Sequence, residues 1–204
     1  MNLKRIISSV YTENCYLIWD DNNIGAVIDP GSDFSKIDSA VKENNVKLEA
    51  ILLTHGHFDH AYSAYEFSKK YSLPVMMSEN EKEVMQGNED NPDTRIAVPE
   101  NFSYFHDNDI IKAGGITLKV IATPGHTKGS VCFYCESEKT LFAGDTLFRS
   151  TVGRWDLPTG SFDDLKKSVK NRLYTLPDSV KVYSGHGFST HLGWEKTSNG
   201  VIRC

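Results

Sequence analysis

"ILLTHGHFDHAYSA" (residues 51–64) contains three of the seven histidines of the chain and an aspartate within six residues, 55–60. An apolar run, 51–53, comes directly before them. Such a run is too short for a helix and is typical of a buried strand. The sequence therefore predicts a strand that ends in a concentrated set of metal-ligating side chains.

The spacing within this stretch divides the four polar side chains into two pairs. His55 and His57 are two residues apart in an extended segment, so both can point the same way and bind one ion. Gly56 between them lets the backbone turn without a Cβ clash. Asp59 and His60 are adjacent and come one turn later, so they point elsewhere and suit a second ion nearby.

Three further candidate ligands follow other predicted strands. They are His126 in "VIATPGHTKGS", Asp145 in "LFAGDT" and His186 in "VYSGHG". If these strands share one sheet edge, we expect His126 to complete the first site, His186 the second, and Asp145 to bridge both. Imidazole and carboxylate suit zinc, and also iron or manganese. Two such ions roughly 3.5–4 Å apart can share a hydroxide that is ionised near neutral pH.

Each of these residues alone also has a structural interpretation. Asp59 could cap a helix, Asp145 could cap a turn, and the two later histidines could be satisfied in the core. Their joint occurrence at four strand ends favours the metal site. Of the other histidines, His106 lies in polar "FHDND" and is expected at the surface, whereas His191 is a candidate for the pocket wall.

The rest of the chain alternates between strand and helix patterns, without an internal repeat or linker. Strands are predicted over 3–7, 15–19, 25–28, 48–54, 73–78, 116–122, 130–135, 140–143 and 180–187. Helices are predicted over 32–45, 61–71, 81–85 and 161–176, with a helix or turn in the last 15 residues. Ser32 or Asp33 is expected to cap the first helix and Ser161 the last. The polar stretch 87–100 is expected to be a long loop, of the kind that forms lids or binding loops. This order predicts an α+β fold with helices packed outside sheets.

Composition excludes several classes of protein. The 204 residues suit one domain, 1–204, with a sizeable core. The net charge is 22 − 27 = −5, and without a basic run the chain is not expected to bind nucleic acid. No stretch approaches 18 apolar residues, so no membrane span is expected. The N-terminus lacks an apolar signal region, which favours a cytoplasmic protein.

The four cysteines are too few and too scattered for a disulfide framework. Cys132 and Cys135 spell C-x-x-C, but they lie in "SVCFYCES", which alternates like a strand. Residues three apart on a strand point to opposite faces. We therefore expect neither a shared metal nor a disulfide at this pair.

The motifs "THGHFDH", "PGHTKGS", "GDTLF" and "SGHG" together resemble those of the metallo-β-lactamase fold superfamily. The first motif of that family reads T-H-x-H-x-D-H, and the resemblance runs from about residue 15 to 196. It implies an αββα sandwich with the metal ions at one edge of the two sheets. That expectation agrees with the argument from strand ends.

Within the superfamily, "GDTLF", "VGRWDLPTGSFDDLKKSV" and "SGHG" look most similar to the small glyoxalase II-like hydrolases, which cleave S-D-lactoylglutathione. This resemblance implies attack of a bridging hydroxide on a thioester carbonyl, with Asp59 and Asp145 as the catalytic carboxylates. One ion would polarise the carbonyl and the other would stabilise the leaving thiolate. Carried over by motif, it assigns His55, His57 and His126 to the first ion, Asp59, His60 and His186 to the second, and Asp145 to both.

The chain departs from full-length glyoxalase II in its expected substrate contacts. Those enzymes carry a C-terminal helical domain that supplies glutathione-binding residues, whereas this chain stops 18 residues after His186. Arg154 matches one basic glutathione contact of the family, and Arg149 is a weaker candidate at the pocket rim. Asp156 stands where the family has an aromatic residue, so an ion pair with Arg154 is the alternative. The expected substrate is a small thioester.

Other activities occur on this fold. Persulfide dioxygenases bind a single iron, and lactone hydrolases and β-lactamases use related metal sites. The "SGHG" motif leaves the second metal site fully equipped, which favours a hydrolase. A non-catalytic metal-binding module is the remaining alternative, and the complete ligand set argues against it.

Overall fold

The computed structural model describes residues 1–87, 94, 96–97 and 99–204. A first sheet has six strands in the spatial order of the chain. They are β1 (Asn2–Ile7), β2 (Asn14–Trp19), β3 (Ile24–Ile28), β4 (Lys47–Leu52), β5 (Val75–Met77) and β6 (Phe102–Tyr104). The first three pair antiparallel, whereas β3, β4, β5 and β6 pair in parallel.

A second sheet is built from the later part of the chain. Its strands and an accompanying hairpin are β7 (Ile110–Ala113), β8 (Ile116–Ala122), β9 (Val131–Cys135), β10 (Thr140–Gly144), the hairpin β11 (Leu147–Phe148) and β12 (Thr151–Val152), β13 (Lys181–Ser184) and β14 (Thr190–His191). The sheet order is β14-β13-β10-β9-β8-β7. Strands β10 and β13 are parallel, so their carboxyl ends lie at the same edge.

The described part of the chain contains six α-helices, five between strands and one after the last strand. They are α1 (Phe34–Glu43), α2 (Phe58–Ala61), α3 (Ala64–Tyr71), α4 (Lys82–Gln86), α5 (Phe162–Ser168) and α6 (Leu192–Ser198). A 3₁₀ turn, Glu79–Glu81, precedes α4, and a π-helical turn, Val169–Leu173, extends α5. None of the helices in these described ranges is long and apolar enough to cross a membrane.

The helices and sheets form four layers. Helices α1 and α3 pack Ile37 and Phe67 against the outer face of the first sheet. The inner faces of the two sheets share a core that includes Leu52 and Phe133. Leu165 of α5 belongs to a third cluster on the outer face of the second sheet. The αββα sandwich is therefore confirmed, and the metal-ligand residues lie at one edge of it.

Burial on both faces explains the apolar run that precedes the histidines. Along β4 and just beyond it, Ala50 and Leu52 face the other sheet, whereas Ile51 and Leu53 face the helices. A strand covered on both sides has no polar face to alternate with its apolar one. The expectation that the two cysteines of the C-x-x-C pair point to opposite faces is confirmed, because Cys132 packs on the outer side of β9 and Cys135 on the inner side.

Several local predictions need correction. Strands β6 and β7 were not predicted, and the helix expected over 61–71 is two helices, beginning at Phe58. Asp33 occupies the N-cap position of α1, but its carboxylate accepts the backbone N–H of Ser9 and no cap bond forms. The Ser161 cap is confirmed, since its hydroxyl accepts the N–H of Asp164 at 3.3 Å. The loop predicted over 87–100 lies mostly outside the described residues.

Candidate metal centre

The structure brings all seven predicted ligands to one edge of the sandwich. His55 and His57 follow β4, and Asp59 and His60 lie on α2. His126 lies between β8 and β9, Asp145 follows β10 and His186 follows β13. Because the ends of β10 and β13 meet at this edge, residues 41 apart in the chain come together here.

A first cluster contains the two histidines that follow β4 and the histidine before β9. One ring nitrogen from each of His55, His57 and His126 lies within 4.8 Å of the others. The His57 Nδ1 and His126 Nε2 atoms are 2.9 Å apart. The His55 Nε2 atom is buried and has no hydrogen-bond partner in the described part of the chain.

A second cluster contains Asp59, His60 and His186, whose ligand atoms also lie within 4.8 Å of one another. The His60 Nε2 and His186 Nε2 atoms are 3.3 Å apart. Asp59 Oδ2 lies 3.2 Å from His186 Nε2. The predicted helix-cap alternative for Asp59 does not describe its position, because Asp59 lies inside α2.

Asp145 lies between the two clusters. Its Oδ1 atom is buried and lies 3.3 Å from His60 Nε2, but the two groups are not aligned as a hydrogen bond requires. Its Oδ2 atom is 3.6 Å from His126 Nε2 and 3.7 Å from His186 Nε2. Burial raises the pKa of this carboxyl, but His60, His126 and His186 outweigh burial and hold the pKa well below its usual range. Asp145 is therefore a carboxylate that faces ligands of both clusters.

The donor set fits two divalent transition-metal ions. Ligands about 2.0–2.2 Å from a tetrahedral ion lie roughly 3.3 Å from one another, close to the separations found here. The His57 and His126 nitrogens, 2.9 Å apart, and the buried His55 Nε2, which has no partner in the described part of the chain, are placed as ligands of one ion would be. Burial, with His126 and His60, lowers the pKa of His57 to about 4, so this ligand is neutral at pH 7.

Hydrogen bonds orient three of the imidazoles so that Nε2 points into the clusters. Asp29 Oδ2 lies 3.0 Å from His60 Nδ1, and the carbonyl oxygen of Arg154 lies 2.7 Å from His126 Nδ1. Both oxygens only accept, so both Nδ1 atoms donate. Thr54 Oγ1 donates to Asp29 and lies 3.0 Å from His55 Nδ1, whose proton it accepts. Each Nε2 atom therefore keeps a lone pair for an ion.

Asp29 was not among the residues that the sequence predicted for the site. Its buried carboxylate accepts the Thr54 N–H and hydroxyl, each at 2.7 Å, as well as the His60 proton. Asp29 also groups with His55 and His60 as a possible ligand, but these hydrogen bonds already occupy both of its oxygens. It therefore acts as a positioning residue that connects the two clusters.

Glu81 was not recognised in the sequence either. Its buried carboxylate accepts the Gly56 N–H at 2.6 Å and the Thr127 hydroxyl at 2.7 Å. Gly56 lies between two ligands of the first cluster, and Thr127 follows the third. A Cβ atom at Gly56 would lie 2.8 Å from the Glu81 carbonyl oxygen, so close packing is what requires glycine there. Nothing in the local sequence signals this contact, which joins residues 25 apart.

Of the two predicted substrate contacts, only Arg154 lies at the cavity. Arg154 lines a cavity over the clusters, and its side chain forms a bidentate ion pair with Asp156, at 3.0 and 3.2 Å. Arg149 is exposed between β11 and β12, and it is not among the described residues that line this cavity. His191 is likewise exposed and outside the described wall. The His106 side chain is 82% exposed, which confirms its predicted surface position.

The family assignment rests on both sequence and structure. A family model described as the metallo-beta-lactamase superfamily matches residues 9–186. The chain belongs to this superfamily. Hydroxyacylglutathione hydrolase GloC of Haemophilus influenzae is 31% identical over 99% of this chain and 98% of its own length. Membership supports a metallo-hydrolase that uses two divalent ions, in agreement with the two clusters.

Two solved structures from the superfamily are similar over nearly the full chain. The B3 metallo-beta-lactamase BLEG-1 superimposes with a TM-score of 0.87 at 30% identity, covering 97% of this chain and 98% of that one. TTHA1623 in a di-iron-bound form gives a TM-score of 0.86 at 31% identity, covering 96% and 98%. Among proteins similar to this chain, the superfamily fold thus occurs both in an iron-bound protein and in a metallo-beta-lactamase.

Proposed function

We propose that this metallo-hydrolase cleaves thioesters in the manner of glyoxalase II. The observation that carries the proposal is the position of Asp145, whose two oxygens face histidines of both clusters. A carboxylate in that place suits a pair of ions that act together. The full-length similarity to a hydroxyacylglutathione hydrolase supports a thioester substrate such as S-D-lactoylglutathione.

Each predicted ligand has a proposed role. His55, His57 and His126 would hold one ion, Asp59, His60 and His186 would hold the other, and Asp145 would serve both. When bound, two such ions supply a water ionised near neutral pH and a Lewis acid for the carbonyl. We propose zinc as the natural pair, with iron as the alternative because a similar structure holds two irons.

Asp59 has a second proposed role. Its carboxylate both approaches His186 and lines the cavity above the clusters. From there it can accept a hydrogen bond from the attacking water and hold that water in line with a carbonyl carbon. Asp59 and Asp145 are therefore the two proposed catalytic carboxylates.

The cytoplasmic location expected from the N-terminal sequence stays a prediction.

Cleavage of a lactone or a β-lactam is the second candidate function. It is favoured by the similarity to a B3 metallo-beta-lactamase over almost the whole chain. Both reactions begin with attack of water on a carbonyl carbon, so the same clusters suit either substrate. The wall of the cavity, not the metal ligands, separates the two candidates.

A turnover panel with metal analysis tests the proposal. Protein loaded with zinc, iron or manganese is assayed on lactoylglutathione, a neutral thioester, a lactone, a β-lactam and glutathione persulfide. We expect about two ions per chain and the highest kcat/KM on a thioester. One iron per chain with oxygen consumption on the persulfide would overturn the hydrolase proposal, and preference for the lactone or the β-lactam would replace the substrate.

A further inference from the structure

A cavity of about 770 Å³ opens over the two clusters. Five of its described lining residues are proposed metal ligands, so the scissile group can reach the ions from this space. The volume lies within the range of sites that hold drug-sized molecules and leaves room for a group well beyond the scissile carbonyl. The walls of this cavity therefore influence which substituent of a substrate can bind.

Outside the ligands, five of the ten residues in the described wall have apolar side chains. Phe58 follows His57 in the chain, and the Phe148 ring lies edge-on to the His186 ring, 6.1 Å between centroids. Apolar surface thus borders both clusters at close range. The apolar side chains of the wall are Phe58, Val84, Phe148, Leu157 and Pro158.

Outside the ligands, the two charged side chains of the described wall each have an ion-pair partner. Arg154 pairs with Asp156 at 3.0 Å, and Glu83 pairs with Lys128 at 2.6 Å. Within the described part of the wall, Arg154 is the only lysine or arginine. Glutathione carries two carboxylates, and either would have to compete with Asp156 for the Arg154 guanidinium.

We propose that the cavity binds an apolar acyl group and selects substrates by that group, not by charge on the thiol. This inference rests on the proposed hydrolase function and adds the substrate class. With its carbonyl at the ions, an acyl chain would occupy the cavity that Phe148 and Leu157 line. Each methylene buried there contributes about a fourfold gain in kcat/KM until the space is filled.

A series of acyl thioesters of one neutral thiol, N-acetylcysteamine, tests this selection. The acetyl, butyryl, hexanoyl and octanoyl esters are compared, followed by the hexanoyl and lactoyl esters of glutathione. We expect kcat/KM to rise about fourfold per methylene, and to change less than about threefold when glutathione replaces N-acetylcysteamine. A flat acyl series, or a tenfold preference for the glutathione esters, would overturn the inference.

The outcomes separate this inference from the proposed function. Protein that holds two ions yet hydrolyses no thioester of the series contradicts the thioesterase proposal itself. Hydrolysis of every ester at a similar rate leaves that proposal intact and removes only the acyl selectivity. Binding of an uncleavable thioether, S-hexyl-N-acetylcysteamine, measured by calorimetry, gives a readout that needs no turnover, and we expect a negative heat-capacity change.

Variants locate the acyl site on the wall. Phe148→Ala and Leu157→Ala are expected to lower the gain per methylene and weaken thioether binding about tenfold, with the metal content unchanged. Leu157 belongs to neither cluster, so its variant is informative even if Phe148→Ala disturbs His186. Phe188→Ala is the matched control, because Phe188 is 69% exposed and lies outside the described wall. An equal loss in Phe188→Ala would contradict the location.

Discussion

The carboxylate of Glu81 accepts the backbone N–H of Gly56 at 2.6 Å, within the segment that carries His55 and His57. Its other oxygen accepts the Thr127 hydroxyl, next to His126. One buried carboxylate therefore joins both loops that supply the first cluster. Glu81 belongs to neither cluster, so its effect on metal binding is indirect and can be measured separately.

Replacing Glu81 with alanine should weaken metal binding at the first cluster. Without the carboxylate, the Gly56 N–H is buried without a partner and the two loops can shift apart. Loss of such an orienting group typically lowers metal affinity about 10- to 100-fold. Titration with a chromophoric chelator checks the two affinities, and circular dichroism checks the fold. Glu79→Ala, exposed in the same 3₁₀ turn, is the control. Unchanged affinity at the first cluster in folded Glu81→Ala would contradict the positioning role.

Replacing Asp29 with asparagine should weaken both clusters. The Asp29 carboxylate bonds His60 directly and reaches His55 through Thr54, so its loss disturbs one ligand of each ion. The same chelator titration should therefore show both affinities reduced, about 10-fold or more. A loss confined to the second cluster would show that the Thr54 connection carries no effect.

Asp145→Ala should remove activity and reduce the metal content below two ions per chain. The variant loses the charge that faces both clusters, so we expect kcat to fall at least 1,000-fold, a proportion typical of removing a group that stabilises transition-state charge. Elemental analysis and thermal unfolding check metal content and fold. Asp163→Ala, at the exposed start of α5, is the control. Undiminished thioesterase turnover in Asp145→Ala would refute the bridging role.

Asp156→Ala should improve turnover of anionic thioesters. The substitution frees the Arg154 guanidinium at the cavity wall, so glutathione esters gain an unpaired cation. We expect kcat/KM for lactoylglutathione to rise about two- to fivefold at low salt, and the gain to shrink in 0.5 M salt because the pair is exposed. The neutral N-acetylcysteamine esters serve as the control and should change little. An equal gain for neutral esters would show that charge is not the cause.

Asp38→Asn should destabilise the fold in a pH-dependent way. Burial raises the pKa of Asp38, but hydrogen bonds from Lys42, Lys70 and Tyr71 outweigh it and lower the pKa to about 2. Because the folded pKa lies below the unfolded value of about 3.9, the carboxylate contributes stability above pH 4, and this is lost as pH falls towards 2.

Urea unfolding of wild type and Asp38→Asn at several pH values checks this expectation. The difference in unfolding free energy should be on the order of 2 kcal/mol at pH 7 and should shrink between pH 4 and pH 2. Loss of metal in acid affects both proteins and cancels in the difference. Asp178→Asn, whose carboxyl is 75% exposed in its pair with Lys196, should change little. A difference that stays constant across this range would contradict the prediction.

The sequence by itself determined the ligand types, the fold class and the family. "THGHFDH" places four ligands within one local segment, and local spacing determines the direction of side chains along an extended strand or a helical turn. The order of strand and helix patterns predicted helices outside the sheets, and the family resemblance implied the αββα layer order. Two short strands were not predicted from the sequence, because β6 has only three residues and β7 begins with an exposed isoleucine.

Only the tertiary structure decided which groups hold the ligands and which form the cavity wall. Glu81 reaches Gly56 across 25 residues, and the Arg154 carbonyl reaches His126 across 28, so neither contact leaves a pattern in local sequence. The same holds for Phe58, Leu157 and Phe148, which are distant in the chain but line one cavity. Metal ligands are recognisable because their chemistry is rare and locally spaced, whereas a cavity wall uses ordinary apolar residues that converge only on folding.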